Sequence, residues 1–172
     1  MFLRTERLLL RPAWPDDIDD FAALLAEEQA QADAYPFRLP DSVEKVRRVI
    51  ALSHDRHLPH LLIDLPTDGR LTLIGGISLS PDRSEVELRY FIAPAWRGKG
   101  YATEAASALL GQAWMLGHSH VIATHFDGNS RAGDALARAG FRKTGETRLR
   151  YNASRGTASP ALVRVAERPQ AA

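Results

Sequence analysis

The chain has 172 residues, 45% of them apolar and 25% charged, with no cysteine. That length fits one domain with a sizeable core, and the lack of thiols excludes a disulfide framework, a thiolate metal site and a cysteine nucleophile. The net charge of +1 divides unevenly, with 10 Lys/Arg against 16 Asp/Glu in residues 1–88 and 12 against 5 in residues 89–172.

A basic half suits a polyanionic ligand, and an acidic half suits a cationic substrate such as an amine. A plain scatter of solvated surface charge gives the same counts. Met1 to Arg7 is too charged for a secretory signal, and no apolar run approaches the length of a membrane span. These features predict a cytoplasmic protein without membrane contact. Residues 1–172 read as one domain, with its core at about 3–167 and a disordered tail after Glu167.

Leu8–Leu10 before Pro12 reads as a first strand. Pro15-Asp16-Asp17 opens a helix, its acids at the positive end of the dipole, and Ile18, Phe21, Ala22 and Leu25 form its buried stripe. Tyr35 to Pro40 is a proline-broken loop. A second helix starts near Asp41, where Asp41 and Glu44 suit a capping box, and Val43, Val46 and Ile50 face the core.

Leu61–Ile63 and Leu71–Leu79 are strands around a Thr67-Asp68-Gly69 turn, the second with Gly75-Gly76 in its middle. Glu85–Ile92 alternates: Val86, Leu88, Tyr90 and Ile92 on one face, Glu85, Glu87, Arg89 and Phe91 on the other. Ala102, Ala105, Ala106, Leu109, Leu110 and Ala113 then follow helical spacing until Gly117. Val121–Ala123 is a short strand. Asn129 or Ser130 caps a small helix ending at Gly140, and late strands fall near Gly145–Arg150 and Leu162–Ala166. The class is α+β, with a mostly antiparallel sheet.

The chemistry concentrates at Arg97-Gly98-Lys99-Gly100, which joins a strand to a helix. Glycines allow close backbone approach and positive φ. Helix-start N–H groups lack internal partners and sit at the positive dipole end, so they bind phosphate oxygens. Arg97 and Lys99 add positive charge there. A Walker A loop would need Ser or Thr after Lys99, where Gly100 stands, and a dinucleotide fingerprint would need a third glycine. A plain strand–helix turn with surface Arg and Lys is the structural alternative.

Arg97-Gly98-Lys99-Gly100-Tyr101-Ala102 resembles the acetyl-CoA signature of the GNAT superfamily of N-acetyltransferases: Arg or Gln, two residues, Gly, one residue, Gly or Ala. Thr5 to Pro12, Gly75-Gly76-Ile77, Tyr90 to Trp96, Thr103-Glu104-Ala105, and Asn129 with Ala139-Gly140-Phe141 are similar to the ribosomal-protein alanine acetyltransferase (RimJ/RimL-like) branch. The resemblance implies a mixed, mostly antiparallel sheet of about six to seven strands, splayed at the fourth, with about four helices on both faces. It implies acetyl-CoA as cosubstrate and no metal. The backbone amides of Arg97, Gly98, Lys99, Gly100, Tyr101 and Ala102 would hold the pyrophosphate. Ile92 would pair with the pantetheine arm, Asn129 would bind that arm through its side-chain amide, and a backbone N–H near Phe91 or Ile92 would meet the acetyl carbonyl.

Direct transfer to an amine needs no enzyme nucleophile. An amine attacks only when neutral, so a base helps. Glu87 is the first candidate, acting through water, with a strand carboxylate paired to Arg89 as the plain reading; His125 is the second, with an inert loop histidine as its plain reading. The family's late-helix tyrosine position is Leu136 here and its serine position is Ala132, so the general acid is open, with water or Tyr151 as substitutes. His54, His57 and His60 recur every third residue, yet Leu58-Pro59 breaks the segment, and a polar loop fits better than a metal site. Trp14, Tyr35 and Phe37 fall where the family builds its acceptor cleft.

The acceptor is expected to be an amine, either a protein N-terminal α-amine or a small molecule such as an antibiotic or polyamine. An acyl-CoA-binding sensor without turnover is the competing reading. No aromatic–basic interleaving points to nucleic acid. A homodimer is open to the chain through a free sheet edge.

Overall fold

The computed structural model describes residues 1–29, 35–52, 55–152 and 155–170. Strands are β1 (Leu3–Arg4), β2 (Leu9–Arg11), β3 (His60–Thr67), β4 (Arg70–Asp82), β5 (Glu85–Ile92), β6 (His120–Phe126), β7 (Arg142–Asn152) and β8 (Thr157–Glu167). Helices are α1 (Ile18–Gln29), α2 (Val43–Leu52), α3 (Tyr101–Met115) and α4 (Ser130–Ala139). One sheet takes the order β1-β2-β3-β4-β5-β6-β8-β7. Its eight strands exceed the expected six to seven because Leu3–Arg4 adds a short edge strand through Leu3↔Leu10 and Arg4↔Leu9.

Every pairing is antiparallel except β5 with β6, and that parallel pair registers only at Glu87↔Ile122. Helix α3 is the crossover that makes a parallel pair feasible. Past this register the two strands part, and the sheet opens at the strand counted fourth from sequence, now β5.

The alternation of β5 divides the core. Leu88 and Ile92 join Leu79, Leu109 and Ala113 in a cluster under α3. Phe91 joins Phe21, Leu25, Val46 and Ile50 under α1 and α2. The alanines of α3 let that helix lie close to the sheet, with Ala105 and Ala113 fully buried. Gly75 and Gly76 answer a steric demand. A Cβ at Gly75 would sit 2.1 Å from the Phe91 carbonyl, and one at Gly76 would sit 2.8 Å from the Phe91 ring. β3 and β4 shift register at this point, between Ile63 and Asp64.

Two local expectations change. Ser42 Oγ accepts from Lys45 N at 3.3 Å and so caps α2, while Asp41 pairs with the Lys45 ammonium at 2.6 Å. Val43 is exposed, because α2 begins there and its buried stripe runs through Val46 and Ile50. Past β8, the Arg168 amide still bonds to the Ser119 carbonyl at 2.9 Å. Among the described residues no helix is long and apolar enough to cross a membrane.

Candidate active site

Where β5 and β6 part, a cleft of about 440 Å³ opens. Leu88, Tyr90 and Ile92 wall one side, and Ala123, Thr124 and His125 the other. The start of α3 closes one end and the start of α4 lies along it. Arg97, Gly98, Gly100, Tyr101, Ala102 and Asn129 all line this cleft, so most of the residues singled out from sequence converge there.

The end at α3 is shaped by backbone. A 3-10 turn, Pro94–Trp96, takes up the Arg97 amide, which bonds to Pro94 O at 3.3 Å. Gly98 and Gly100 have φ of 73° and 81°. Gly100 is the N-cap of α3, and no side chain caps this end. The first bond of the helix runs from Glu104 N to Gly100 O at 3.1 Å. The amides of Tyr101, Ala102 and Thr103 therefore precede any intrahelical acceptor and open at the positive end of a 15-residue helix. This arrangement fits a pyrophosphate.

Arg7 fastens the loop from behind. Its Nη1 donates to Lys99 O at 2.9 Å, and its Nε pairs with Glu104 at 2.7 Å. Its guanidinium lies 4.6 Å over the Tyr101 ring. Burial pushes the Glu104 carboxyl up, but hydrogen bonds from Thr5 and Arg7 outweigh it and hold it below its ordinary value.

The Arg97 side chain turns away from these amides, which revises the expectation that it adds charge for phosphate. Its Nε donates to Ile92 O at 2.8 Å, and its Nη2 reaches Glu28 at 2.6 Å and Tyr35 Oη at 3.0 Å. Glu28 has no exposed surface. Burial drives its carboxyl up, against the opposing pull of Arg97. The pair joins α1 to the loop that precedes α3. Lys99 remains exposed, 5.2 Å above the Trp96 ring.

The register decides which β5 groups face the cleft. Ala93 N donates to Ile74 O, so the Ala93/Ile74 and Phe91/Gly76 pairs bond toward β4 and the Ile92/Gly75 pair does not. Ile92 therefore turns its N–H and C=O toward the splay, and Arg97 already holds the carbonyl. Phe91 turns its backbone to β4 and its ring to the α1–α2 core, so of the two expected donors only Ile92 N–H faces the cleft.

Asn129 caps α4, its Oδ1 accepting from Ala132 N at 3.2 Å. His125 is buried, with Nδ1 at 3.0 Å from Phe126 O and Nε2 accepting from Arg164 Nε at 3.1 Å. The Arg164 donor fixes the tautomer with the proton on Nδ1. Burial, with Arg164 adding to it, pushes this imidazole below its ordinary value. A neutral ring with both nitrogens engaged is not placed to accept a proton from an amine.

Glu87 is 1% exposed and lines neither cavity. Arg89 pairs with it at 2.7 Å, Arg150 stands at 3.7 Å, and Thr124 Oγ1 donates to it at 2.5 Å. Thr124 itself lines the cleft, so its hydroxyl connects the cleft to the buried carboxylate. Sequence inspection missed Thr124, Glu28 and Arg7; a threonine in a strand and a glutamate in a helix carry no local signal.

A second cavity of about 680 Å³ lies between α2 and the β3–β5 face, and it shares Tyr35, Phe37 and Tyr90 with the cleft. Tyr151 lines it, with Arg38 stacked at 4.4 Å. Trp14 lies away from it, 46% exposed, with Arg11 4.3 Å over its ring. Leu136, at the expected tyrosine position, is 1% exposed and belongs to the core. Of the spaced histidines, His60 lines the second cavity, where burial lowers its pKa, and His54 lies outside the described residues. Among the described residues no three His, Asp or Glu side chains are grouped to hold a metal ion.

Comparison with known proteins agrees with this architecture. A family model described as "Acetyltransferase (GNAT) domain" matches residues 7–142. The [ribosomal protein uS5]-alanine N-acetyltransferase of Escherichia coli K12 is 41% identical over 59 residues, which is 34% of this chain and 30% of that protein. An acetyltransferase structure from Agrobacterium tumefaciens C58 superposes with a TM-score of 0.72 at 26% identity, covering 98% of this chain and 95% of that one. The structure of RimL, a ribosomal L7/L12 α-N-protein acetyltransferase in complex with coenzyme A, gives a TM-score of 0.80 at 15% identity over 97% and 98% of the chains. The chain belongs to the GNAT acetyltransferase family.

Proposed function

We propose that this protein moves an acetyl group from acetyl-CoA to a primary amine, and that the amine is a polypeptide N-terminus. The observation that carries the reading is the uncapped start of α3 opening onto a cleft between two parted strands. The family supports the donor, and the short match to a uS5-alanine acetyltransferase supports the acceptor.

Acetyl-CoA would supply an activated acyl group as its thioester. The amides of Tyr101, Ala102 and Thr103, with the Gly98 and Gly100 turns, would hold its pyrophosphate, and Lys99 would add charge. Ile92 N–H would polarise the acyl carbonyl, a fixed donor being well suited to developing charge. Asn129 would border the pantetheine arm at the start of α4.

An α-ammonium has a pKa near 8 and must lose a proton before attack. Thr124 provides the path: its hydroxyl takes the proton from the amine side as its own passes to Glu87. Arg89 and Arg150 hold that carboxylate in place. Burial pushes the Tyr90 phenol up to about 12, so this group stays protonated in the cleft it lines. The leaving thiolate takes its proton from water or from Tyr151.

The test is thiol release from acetyl-CoA with N-terminal peptides. Wild type should turn over, while Thr124→Val and Glu87→Gln should each lower kcat by about tenfold to a hundredfold and shift the rise of kcat with pH upward. Unchanged pH profiles in both variants would remove the relay. Coenzyme A binding with no thiol release from any amine would replace the enzyme reading with that of an acyl-CoA sensor.

A further inference from the structure

The second cavity has a charge character opposite to what the acidic first half of the sequence suggests. Arg38, Lys45, Arg48 and Arg89 line it against a single carboxylate among the described residues, that of Asp41. Asp41 is spent on Lys45 at 2.6 Å, and both groups are half exposed. His60, also on the wall, is held toward its neutral form by burial and by Arg89. Such a wall repels a polycation and has room for an anion.

Arg89 sits where it can act. Its Nε donates to Glu87 at 2.8 Å, which fixes the guanidinium on the sheet surface. Its Nη1 makes no hydrogen bond to a described residue. The guanidinium also lies 5.6 Å from the Phe37 ring centre, and Phe37 borders both cavities. Tyr90, the next residue along β5, is likewise shared by the two cavities. Arg89 and Tyr90 point to opposite faces of β5, so the link runs through Phe37: an anion on Arg89 lies about one aromatic ring away from the cleft. Lys45 and Arg48 lie three apart on α2, on one helix face, and extend the basic wall outward.

We infer that the acceptor carries a carboxylate within a few bonds of its reacting amine, and that Arg89 selects it. This inference rests on the acyl-transfer reading. The shared chemistry has two sources, a polypeptide with Asp or Glu in its first two residues or a free acidic amino acid. A charge-assisted contact to a fixed guanidinium discriminates by roughly tenfold or more. Polyamines and lysine-rich N-termini fall on the wrong side of that selection.

The experiment uses the full chain with peptides that begin Ala-Asp, Ala-Asn and Ala-Lys and are otherwise identical, together with free aspartate, asparagine and spermidine. Two readouts run in parallel: kcat/KM from thiol release, and peptide affinity by calorimetry with coenzyme A present. The second decides the charge preference even if no acceptor turns over, in which case the transfer reading alone fails. The expected result is at least a tenfold preference for Asp over Asn, carried by KM, with Lys and spermidine poorest. Arg89→Met should shrink the Asp-to-Asn ratio at least fivefold. Because Arg89 also braces Glu87, the paired exchange Lys45→Gln with Arg48→Gln, on an exposed helix face, repeats the test without touching the core and should also lower the ratio. Free aspartate matching the Asp peptide would assign the small-molecule source, and the peptide exceeding it would assign the N-terminus. Equal affinity for Asp and Asn peptides, or preference for Lys or spermidine, would overturn the inference.

Discussion

The two cavities meet at Tyr90 and are built from different materials. The cleft between β5 and β6 is made mainly of backbone: two positive-φ glycines, an uncapped helix start and a strand edge whose Ile92 N–H faces the splay. The cavity under α2 is made of side chains, among them Arg89, Arg38, Lys45, His60 and Tyr151. A backbone site serves one ligand shape and tolerates little change in the loop. A side-chain site can be rewritten residue by residue on the same sheet, which is how one fold accepts many acceptors.

The largest effect expected from breaking the backbone side is at Gly100. Gly100→Glu strains a residue held at φ 81° and places an anion beside the proposed phosphate site, so acetyl-CoA binding should be lost in calorimetry. Arg97→Met is expected next. It leaves the Glu28 carboxylate buried without its guanidinium and should lower unfolding stability by about 3 kcal/mol in urea titration. A fall in coenzyme A affinity with no loss of stability would instead show Arg97 acting on phosphate.

Acid should weaken the wall shared by β6 and β8. His125 is held below its ordinary value by burial first, then by Arg164, so the folded state keeps it neutral. The unfolded chain takes up that proton near pH 6.5. Stability is therefore full above that value and should fall as pH drops below about 6.5, with a shallower slope in His125→Gln. Lys99→Met, on an exposed side chain, should give the smallest change: a few-fold weaker coenzyme A binding at low salt that disappears at high salt.

The same contrast explains what was legible in the sequence. Gly98 and Gly100 announce their backbone geometry wherever they occur between a strand and a helix, and the alternation of β5 announces its faces. Helices α3 and α4 were readable from spacing and from the Asn129 and Gly140 ends. The inward turn of Arg97 was not, because its partner Glu28 is 69 residues away and a glutamate in an amphipathic helix reads as solvated. The basic wall was hidden for a related reason. Half-chain charge counts favoured a cationic substrate, yet Asp17 and Asp64 are consumed by Arg11, and Asp82 and Glu85 by Arg148, while Arg89, Lys45 and Arg48 line the cavity although Glu87, Asp41 and Glu44 pair with them. Edge strand β1 has only two residues, too few for a periodicity to show.

The decisive question is whether the cleft between β5 and β6 delivers an acyl group to an amine. The most direct measurement is thiol release from acetyl-CoA with an N-terminal peptide, matched against acetylated product by mass, in wild type and Gly100→Glu. The structure predicts one thiol per acetylated amine in wild type and neither product in the variant. Equal release in both proteins would contradict the assignment of the cofactor to the start of α3.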